Sequence, residues 1–345
     1  MPRVAALVTV LLVFPVVAQD GIPGPAPQLK KLEPLVGNWH GTGTATFGPG
    51  APPTKWSARG TFRKALGDFW IREDFRIDFE GSPAPLVMRH YWGWDRENGQ
   101  YVAVSAANTG VVHIEDVTVL PDGTLLQMTR LHQNGAPFAQ RSTLKVVGDE
   151  LVHTVDMLMA QGPSLSIVDG RFARGGDGFD GAWDTAAFDS TVVGESITRL
   201  GKCAGEYELT GEVVPAPGAP VMKIRGTDTF RPVFGGAVMH GSTVGNAEGV
   251  PGQYEGEVFW AWDEGKKCLV GAYVSSFGEF STMDAWFAKD GALLSTSHGT
   301  MRGEPMVQRM VMQMDAEGRP KSVLSHVILG DAPPFESFRA TYVKK

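Results

Sequence analysis

Apolar and polar residues alternate with a period of two along most of the chain, in short runs that end at Gly, Pro, Asn or Asp. Side chains of a β-strand point alternately to opposite faces, so this pattern predicts strands with one buried face. We count ten such runs within residues 38–173 and ten more within residues 205–343. Turns such as Asp122-Gly123 join neighbouring runs, because Asp-Gly accepts the backbone angles of a tight hairpin.

Two segments depart from the alternation and predict short helices. Residues 28–35 place Leu29, Leu32 and Leu35 on one face of about two helical turns. Residues 188–200 predict a second short helix, at the corresponding place before the second set of strands.

The two sets of strands are copies of one sequence unit. Trp92 and Trp94 return as Trp260 and Trp262, a shift of 168 positions (260 − 92). The same shift holds as far as Arg141, which returns as an arginine. A register kept over that length indicates a duplication in which each copy is one folding unit.

The duplication and local composition predict the domain boundaries. Residues 28–173 form the first domain, residues 200–345 the second, and residues 174–199 a flexible, Gly- and Asp-rich linker that ends in the possible helix. Residues 1–18 carry one basic residue and then an uncharged apolar run, as a secretory signal peptide does, and residues 19–27 are a Pro/Gly spacer. We therefore expect an extracytoplasmic protein, periplasmic or secreted, with no membrane span after signal cleavage.

Composition narrows the classes of partner. The formal net charge is −7, whereas a nucleic-acid-binding protein needs a basic face, so no nucleic-acid partner is expected. The 43 glycines and 23 prolines suit a fold with many turns. Cys203 and Cys268 leave two states open: a disulfide, which export permits, or two free thiols.

Ten sequential strands joined by hairpin-length connections favour an up-and-down arrangement, which removes its exposed edges by closing on itself. The predicted fold class is all-β: two tandem antiparallel up-and-down barrels of about ten strands, each opened by a short helix. A barrel of this size has an interior wide enough for a small ligand.

Three short motifs carry a family resemblance. Gly-Asn-Trp at 37–39 resembles the Gly-x-Trp signature of lipocalins. With Gly-Trp-Asp at 93–95 and Asp-Gly at 122–123, the pattern resembles a family of uncharacterised bacterial exported proteins with a lipocalin-like (calycin) barrel. The resemblance implies a barrel with an apolar cavity, in which Trp39 packs over the closed end. In the second copy we align Cys203 with Trp39, which puts the closure of that barrel in doubt.

Candidate ligand contacts follow from the faces of two strands in each copy. Tryptophans two residues apart share a strand face, and the apolar even positions of 138–147 and 304–314 carry one glutamine each to the interior. These side chains are either core packing and internal hydrogen bonds, or the lining and polar anchor of a cavity. The predicted ligand-binding residues are Trp92, Trp94, Phe138, Gln140 and Leu144 in the first barrel, and Trp260, Trp262, Gln308, Met310 and Met312 in the second.

No serine-hydrolase elbow, zinc-protease motif, phosphate loop or dinucleotide fingerprint is present, and no cofactor or metal is predicted. The favoured function is therefore binding of small apolar or amphipathic molecules. The alternative is an isomerase or cyclase of apolar substrates, for which Asp74, His90 or His240 would have to face the cavity. Two lower alternatives remain. One is haem binding, by resemblance to nitrobindin, through His153 or His326; the other is a structural module whose barrel is filled by its own side chains.

Overall fold

The computed structural model of the protein describes residues 24–48, 50–133, 136–159, 164–188, 194–301 and 303–345. The predicted signal peptide, residues 1–18, lies outside this part of the chain. Within the described residues, no helix is long and apolar enough to cross a membrane.

The first ten strands close into one antiparallel barrel, because each strand pairs with its sequence neighbours and the first also pairs with the tenth. They are β1 Gly37–Ala45, β2 Thr54–Ala65, β3 Trp70–Phe79, β4 Leu86–Asp95, β5 Gln100–Ala107, β6 Val111–Val119, β7 Leu125–Gln133, β8 Ala136–Val147, β9 Glu150–Met159 and β10 Leu165–Arg174.

The second ten strands close in the same order, with β11 paired to β20. They are β11 Gly205–Val213, β12 Met222–Val233, β13 Val238–Ala247, β14 Tyr254–Asp263, β15 Cys268–Ser275, β16 Phe280–Phe287, β17 Leu293–Met301, β18 Glu304–Met314, β19 Pro320–Leu329 and β20 Phe335–Lys344. The predicted fold class, two tandem ten-stranded antiparallel barrels with a short helix before each, is confirmed.

Short helices cover one end of each barrel. Before the first barrel lie two 3-10 helices, Pro27–Lys31 and Glu33–Leu35, and the three leucines of this segment are buried. Before the second barrel lie helix α1, Glu195–Leu200, and a 3-10 turn, Gly201–Cys203, which bury Ile197 and Leu200. Burial of these apolar faces closes that end of each barrel.

The second barrel is closed by a tyrosine, so the alignment of Cys203 with Trp39 is wrong. Trp39 Nε1 donates to the Leu35 carbonyl at 2.7 Å, and the Tyr207 hydroxyl donates to the Cys203 carbonyl at 3.0 Å. Both rings are buried and both bonds reach back four residues. Tyr207 lies 168 positions after Trp39 (207 − 39), so the register of the duplication is unbroken here.

A glycine shared by both first strands explains the misalignment. Gly37 and Gly205 each begin a strand with a positive φ, 139° and 148°, which favours glycine. Aligning Cys203 with Trp39 instead matches Gly37 with Gly201, which lies in the preceding helical turn. Both cysteines belong to the described chain and form no disulfide; the Cys203 thiol is buried, and Cys268 is half-buried at the start of β15.

The outer faces of the two barrels pack against each other, β3 to β6 of the first against β13 to β15 of the second. Tyr91 stacks on Phe259 at 5.9 Å between ring centroids, and these residues are equivalent in the two copies (259 − 91 = 168). Trp70 Nε1 donates to the Ser275 carbonyl at 2.8 Å. The interface as a whole is not symmetric, because β6 packs against β14 and β15, whereas the equivalent contacts of β16 with β4 and β5 are weaker or absent among the described residues.

The described part of the linker, residues 174–188, packs against both barrels, although its composition predicted a flexible segment. The Phe179 amide donates to Thr61 Oγ1 at 2.9 Å. The Trp183 ring stacks on His240 at 4.8 Å, and the Arg89 guanidinium lies 3.9 Å from the centroid of the same tryptophan ring. The aromatic residues of the linker therefore outweigh its glycines, because they fill the space between the barrels.

Candidate functional site

A cluster of polar side chains faces the interior of the first barrel at mid-height. We call Glu73, His90, Ser105, His113 and Glu115 the lumen cluster; they lie on four neighbouring strands, β3 to β6. Each shares its strand face with buried apolar residues, so it points inward by strand alternation. Glu73, Ser105 and Glu115 are 5, 3 and 4% exposed.

The first half of the lumen cluster is centred on Glu73. Its Oε2 accepts a hydrogen bond from Trp92 Nε1 at 3.0 Å, and His90 Nδ1 lies 3.0 Å from the same oxygen. The ring of His90 thus joins the two halves, because its Nε2 lies 3.8 Å from Glu115 Oε1.

The second half is centred on Glu115. Its Oε1 lies 2.6 Å from His113 Nε2 and accepts from Ser105 Oγ at 3.0 Å. Ser105 Oγ is also 2.9 Å from His113 Nε2. A serine-hydrolase relay needs the serine and the carboxylate on opposite nitrogens of the histidine, so this arrangement is not a catalytic triad.

Mutual charge stabilises the ionised forms within the lumen cluster. Burial works to lower the pKa of His90, but the carboxylates of Glu73 and Glu115 outweigh it and raise that pKa above its usual value. Burial works to raise the pKa of Glu115, but His113, His90 and Ser105 together hold it below its usual value. At neutral pH the cluster therefore contains a carboxylate at Glu115 and favours imidazolium at His90.

A neutral histidine lies on the opposite wall of the barrel. His153 is on β9, five strands from the β4 strand of His90 in a ring of ten, and its Nε2 is 2.8 Å from Ser142 Oγ. Burial, with some repulsion from His90, lowers the pKa of His153 to about 4. The lumen thus has an ionised wall and a neutral polar wall.

Apolar side chains line the interior on both sides of the lumen cluster. Ala103, Val117 and Leu125, on the helix side of the lumen cluster, are buried. Met88 and Met157, on the other side, are half-buried. Because the short helices cover one end of the barrel, a ligand would enter at the opposite end and reach the lumen cluster past apolar side chains.

The residues predicted to contact ligand in the first barrel are spread along its height. Trp92 is buried and bonded to Glu73, and Trp94 is half-buried with its ring edge against Tyr101 at 4.8 Å. On β8, Leu144 is buried beside His153, and Phe138 and Gln140 are half-buried nearer the open end. Their role as ligand contacts stays a prediction.

In the second barrel the predicted residues form an apolar lining with one amide. Trp260, Met310 and Met312 are buried in its core, whereas Trp262 is half-buried and bonds Glu264 at 2.7 Å, near the turn. Gln308 is 4% exposed. Its Nε2 donates to Ser325 Oγ at 2.6 Å, and its Oε1 has no hydrogen-bond partner among the described residues.

The second barrel has its own buried acid, at another position. Asp228 is fully buried, and Thr243 donates to its Oδ1 at 2.6 Å. Burial raises the pKa of Asp228 to about 7, although hydrogen bonds from Thr243 and Tyr342 oppose that shift. A cavity of about 10 Å³ borders Thr243, close to the size that holds one water molecule.

Only one of the three residues proposed for acid–base chemistry faces a barrel interior. His90 does, whereas Asp74 and His240 lie on the outer faces, where the barrels meet. His153 and His326 are not equivalent either. His153 points inward, but His326 alternates with the inward-facing Ser325 and Val327, and points outward. In the described part of the chain, no group of three His, Cys, Asp or Glu side chains could hold a metal ion.

Strand alternation in the sequence identified Gln140 and Gln308 as interior residues, but Glu73 and Glu115 were missed. The same signal was present for both: Glu73 shares its face with Ile71 and Phe75, which are buried. A charged residue that alternates in step with the apolar residues of a strand is therefore expected to point into the barrel.

A family model described as "Protein of unknown function (DUF1579)" matches the chain twice, over residues 24–174 and 194–343. No curated protein matches.

Three solved structures are similar in part. Rv2717c from M. tuberculosis is 21% identical, with a TM-score of 0.36, over 44% of this chain and 99% of its own. The S-type phycobiliprotein lyase CPES from Guillardia theta is 11% identical, with a TM-score of 0.33, over 44% of this chain and 94% of its own. A DUF3598 protein of unknown function from Nostoc punctiforme is 11% identical, with a TM-score of 0.27, over 93% of this chain and 100% of its own. Likeness at this level says nothing about what this chain binds.

Proposed function

This chain belongs to the DUF1579 family of proteins of unknown function, and we propose that it binds small apolar or amphipathic molecules inside its barrels. The observation that carries this proposal is the lumen cluster of the first barrel. Burying ionised groups is costly even when they are paired, so a barrel filled only for stability gains little from two carboxylates and two imidazoles.

The second barrel supplies the control for this argument. The residues 168 positions after Glu73, His90 and Glu115 are Gly241, Val258 and Met283. The second barrel closes with the same strand order, so closure does not require the polar groups. Their presence in the first barrel therefore supports a role toward a bound molecule.

We propose that this function is exerted outside the cytoplasm, because residues 1–18 resemble a signal peptide. We also propose that the barrels are calycin-like, because the Gly-x-Trp motif that ends at Trp39 resembles the lipocalin signature. Burial of roughly 200 Å² of ligand apolar surface contributes about 5 kcal/mol at about 25 cal/mol per Å², before the costs of association. We therefore expect binding in the micromolar range or weaker.

The test is a titration of the protein with Nile red, a neutral apolar dye, and with a fluorescent fatty-acid analogue. Binding of at least one probe is expected. Gln308→Leu removes the unpartnered acceptor of the second barrel and should change probe affinity severalfold, since a hydrogen bond is worth about 1 kcal/mol. Gln313→Leu is the matched control, because Gln313 lies on the exposed face of the same strand.

Two outcomes would contradict this proposal. If neither probe binds, the barrels are structural modules filled by their own side chains. If Gln308→Leu and Gln313→Leu change affinity equally, the interior face of β18 is not the ligand-binding face.

An isomerase is the second candidate, favoured by the placement of His90 and His153 on opposite walls. An acid on one wall and a base on the other suit the transfer of a proton from one atom of a bound molecule to another. Conversion of a substrate that is lost in His90→Gln, while binding of that substrate is retained, would distinguish the enzyme from the binding protein.

A further inference from the structure

We propose that the first barrel selects amphipathic molecules with a protonated amine head group, which the lumen cluster binds. This inference rests on the proposed ligand-binding function and names the ligand class for one of the two barrels.

Within the described chain, each carboxylate of the lumen cluster has one oxygen without a hydrogen-bond donor. Every described contact to Glu73 goes to its Oε2, from Trp92 and His90. Every described contact to Glu115 goes to its Oε1, from Ser105, His113 and His90. Among the described residues, the second oxygen of each carboxylate therefore has no donor. A primary ammonium carries three donors and no acceptor, so it can donate to a carboxylate oxygen of this kind and brings no acceptor of its own.

The charge of the lumen also favours an ammonium over a carboxylate head group. At the height of the lumen cluster, the acidic and imidazole side chains that face this lumen in the described strands are Glu73, His90, His113, Glu115 and His153. His153 is neutral, with its pKa lowered to about 4 by burial and by repulsion from His90. Glu115 is held as a carboxylate by its neighbours, and the neutral wall adds no positive charge. A carboxylate head group would bring a second negative charge close to Glu115, whereas an ammonium would be attracted to it.

The lumen cluster lies at mid-height, so a bound head group would leave its tail nearer the open end of the barrel. Met88 and Met157 lie between the lumen cluster and the open end, so an apolar tail would contact them while the head group reaches Glu73 and Glu115. Methionine side chains adapt their shape to the tail at little cost. The first barrel therefore fits a single-chain amphipath that enters head first.

The experiment compares head groups on one tail. Nile red bound to the full chain at pH 8 is displaced by decylamine, 1-decanol or decanoate; an alkylamine with a pKa near that of lysine, about 10.4, is protonated at this pH. We expect decylamine to displace the dye at a concentration at least tenfold lower than decanoate, with decanol between them. Direct calorimetric titration of the three amphipaths covers the case in which Nile red occupies only the second barrel.

Variants assign the selectivity to the cluster. Glu115→Gln should reduce the preference for the amine to less than threefold, because it removes one charge and keeps the shape. Asp116→Asn is the matched control, since Asp116 is the next residue on β6 and points outward. Glu73→Gln is the second variant, used if circular dichroism shows that Glu115→Gln does not fold.

The outcomes separate this inference from the function on which it rests. If the three amphipaths bind with equal affinity, the protein is a binding protein without amine selectivity and the inference is wrong. If decylamine is preferred but neither glutamine variant changes the preference, the lumen cluster is not the amine site and the inference is also wrong. If no amphipath and no dye binds, the proposed function itself fails.

Discussion

Each barrel has ten strands in the same order, but the two barrels bury their ionisable groups at different places. In the first barrel Glu73, His90, His113 and Glu115 lie on β3 to β6, where the second barrel has glycine, valine, serine and methionine. In the second barrel the buried acid is Asp228, and the equivalent position of the first barrel is Gly60 (228 − 60 = 168). The fold therefore leaves the polar content of each interior free to change.

Polar replacements came as a set. Thr243 and Tyr342, which hydrogen-bond Asp228, stand where the first barrel has Phe75 and Phe172. Both donors are absent from the first barrel, and so is the acid. A buried carboxyl group without donors is costly, so an acid and its donors are gained or lost together.

The interface differs between the copies in a complementary way. Arg89 of the first barrel and Glu257 of the second are equivalent residues of opposite charge (257 − 89 = 168), and their charges interact across the contact. Two identical copies meeting by a two-fold axis would place like charges together. Duplication within one chain removed that constraint, because each copy was free to change its own side of the contact.

The largest effect is expected from breaking the charge arrangement on the outer face of the first barrel. Asp74 is fully buried and lies 2.5 Å from Arg89, 3.2 Å from Arg72 and 3.3 Å from Arg63. Asp74→Asn removes the carboxylate that the buried Arg89 guanidinium contacts directly and leaves it only the charge of Glu257 across the interface. We expect the free energy of unfolding to fall by roughly 3–5 kcal/mol in chemical denaturation.

Asp78→Asn is the control for this variant. Asp78 lies on the same strand and pairs with Arg76 at 2.6 Å, but this pair is partly exposed, so its loss should cost less than about 1 kcal/mol. Equal losses for the two variants would mean that the buried arginine at the interface needs no carboxylate.

The fold was predictable from the sequence because its pairing is local. Every strand pairs with its sequence neighbours, so alternation and turn residues determine most of the register, and Trp92 and Trp260 supply the shift between copies. The lumen cluster was not predictable from spacing, because its five residues come from four strands and share no motif. The charges at the interface could not be predicted for a different reason. Asp74 and Glu73 are neighbours in the sequence, and they differ only in the face of the strand from which each side chain points.

The buried acid of the second barrel should make stability depend on pH in one direction. The pKa of Asp228 is raised to about 7 in the folded protein, from an ordinary value of 3.8. The folded state therefore holds this proton more tightly than the unfolded state, and stability is lost as pH rises from about 4 to about 7. Asp228→Asn should remove this loss. The free energy of unfolding at pH 8, relative to that at pH 4, should then be higher in the variant than in the parent by roughly 4 kcal/mol.

Asp331→Asn, at an exposed position, is the control for this pH dependence. Unfolding midpoints measured from pH 4 to pH 8 give the comparison. A parent and an Asp228→Asn variant with parallel pH profiles would show that the carboxyl group of Asp228 is ionised at no extra cost in the folded state.

The first barrel should respond to pH in the opposite direction, through His153. Burial lowers its pKa to about 4, from an ordinary value of 6.5, so the unfolded state binds the proton more tightly. Stability from this group is present above pH 6.5 and is lost as pH falls to about 4, by roughly 3 kcal/mol. His153→Gln, with exposed His298→Gln as control, should remove this loss in the same unfolding series. If His153→Gln steepens the loss in acid instead, the imidazole is protonated inside the barrel, and the neutral wall that faces the lumen cluster does not exist.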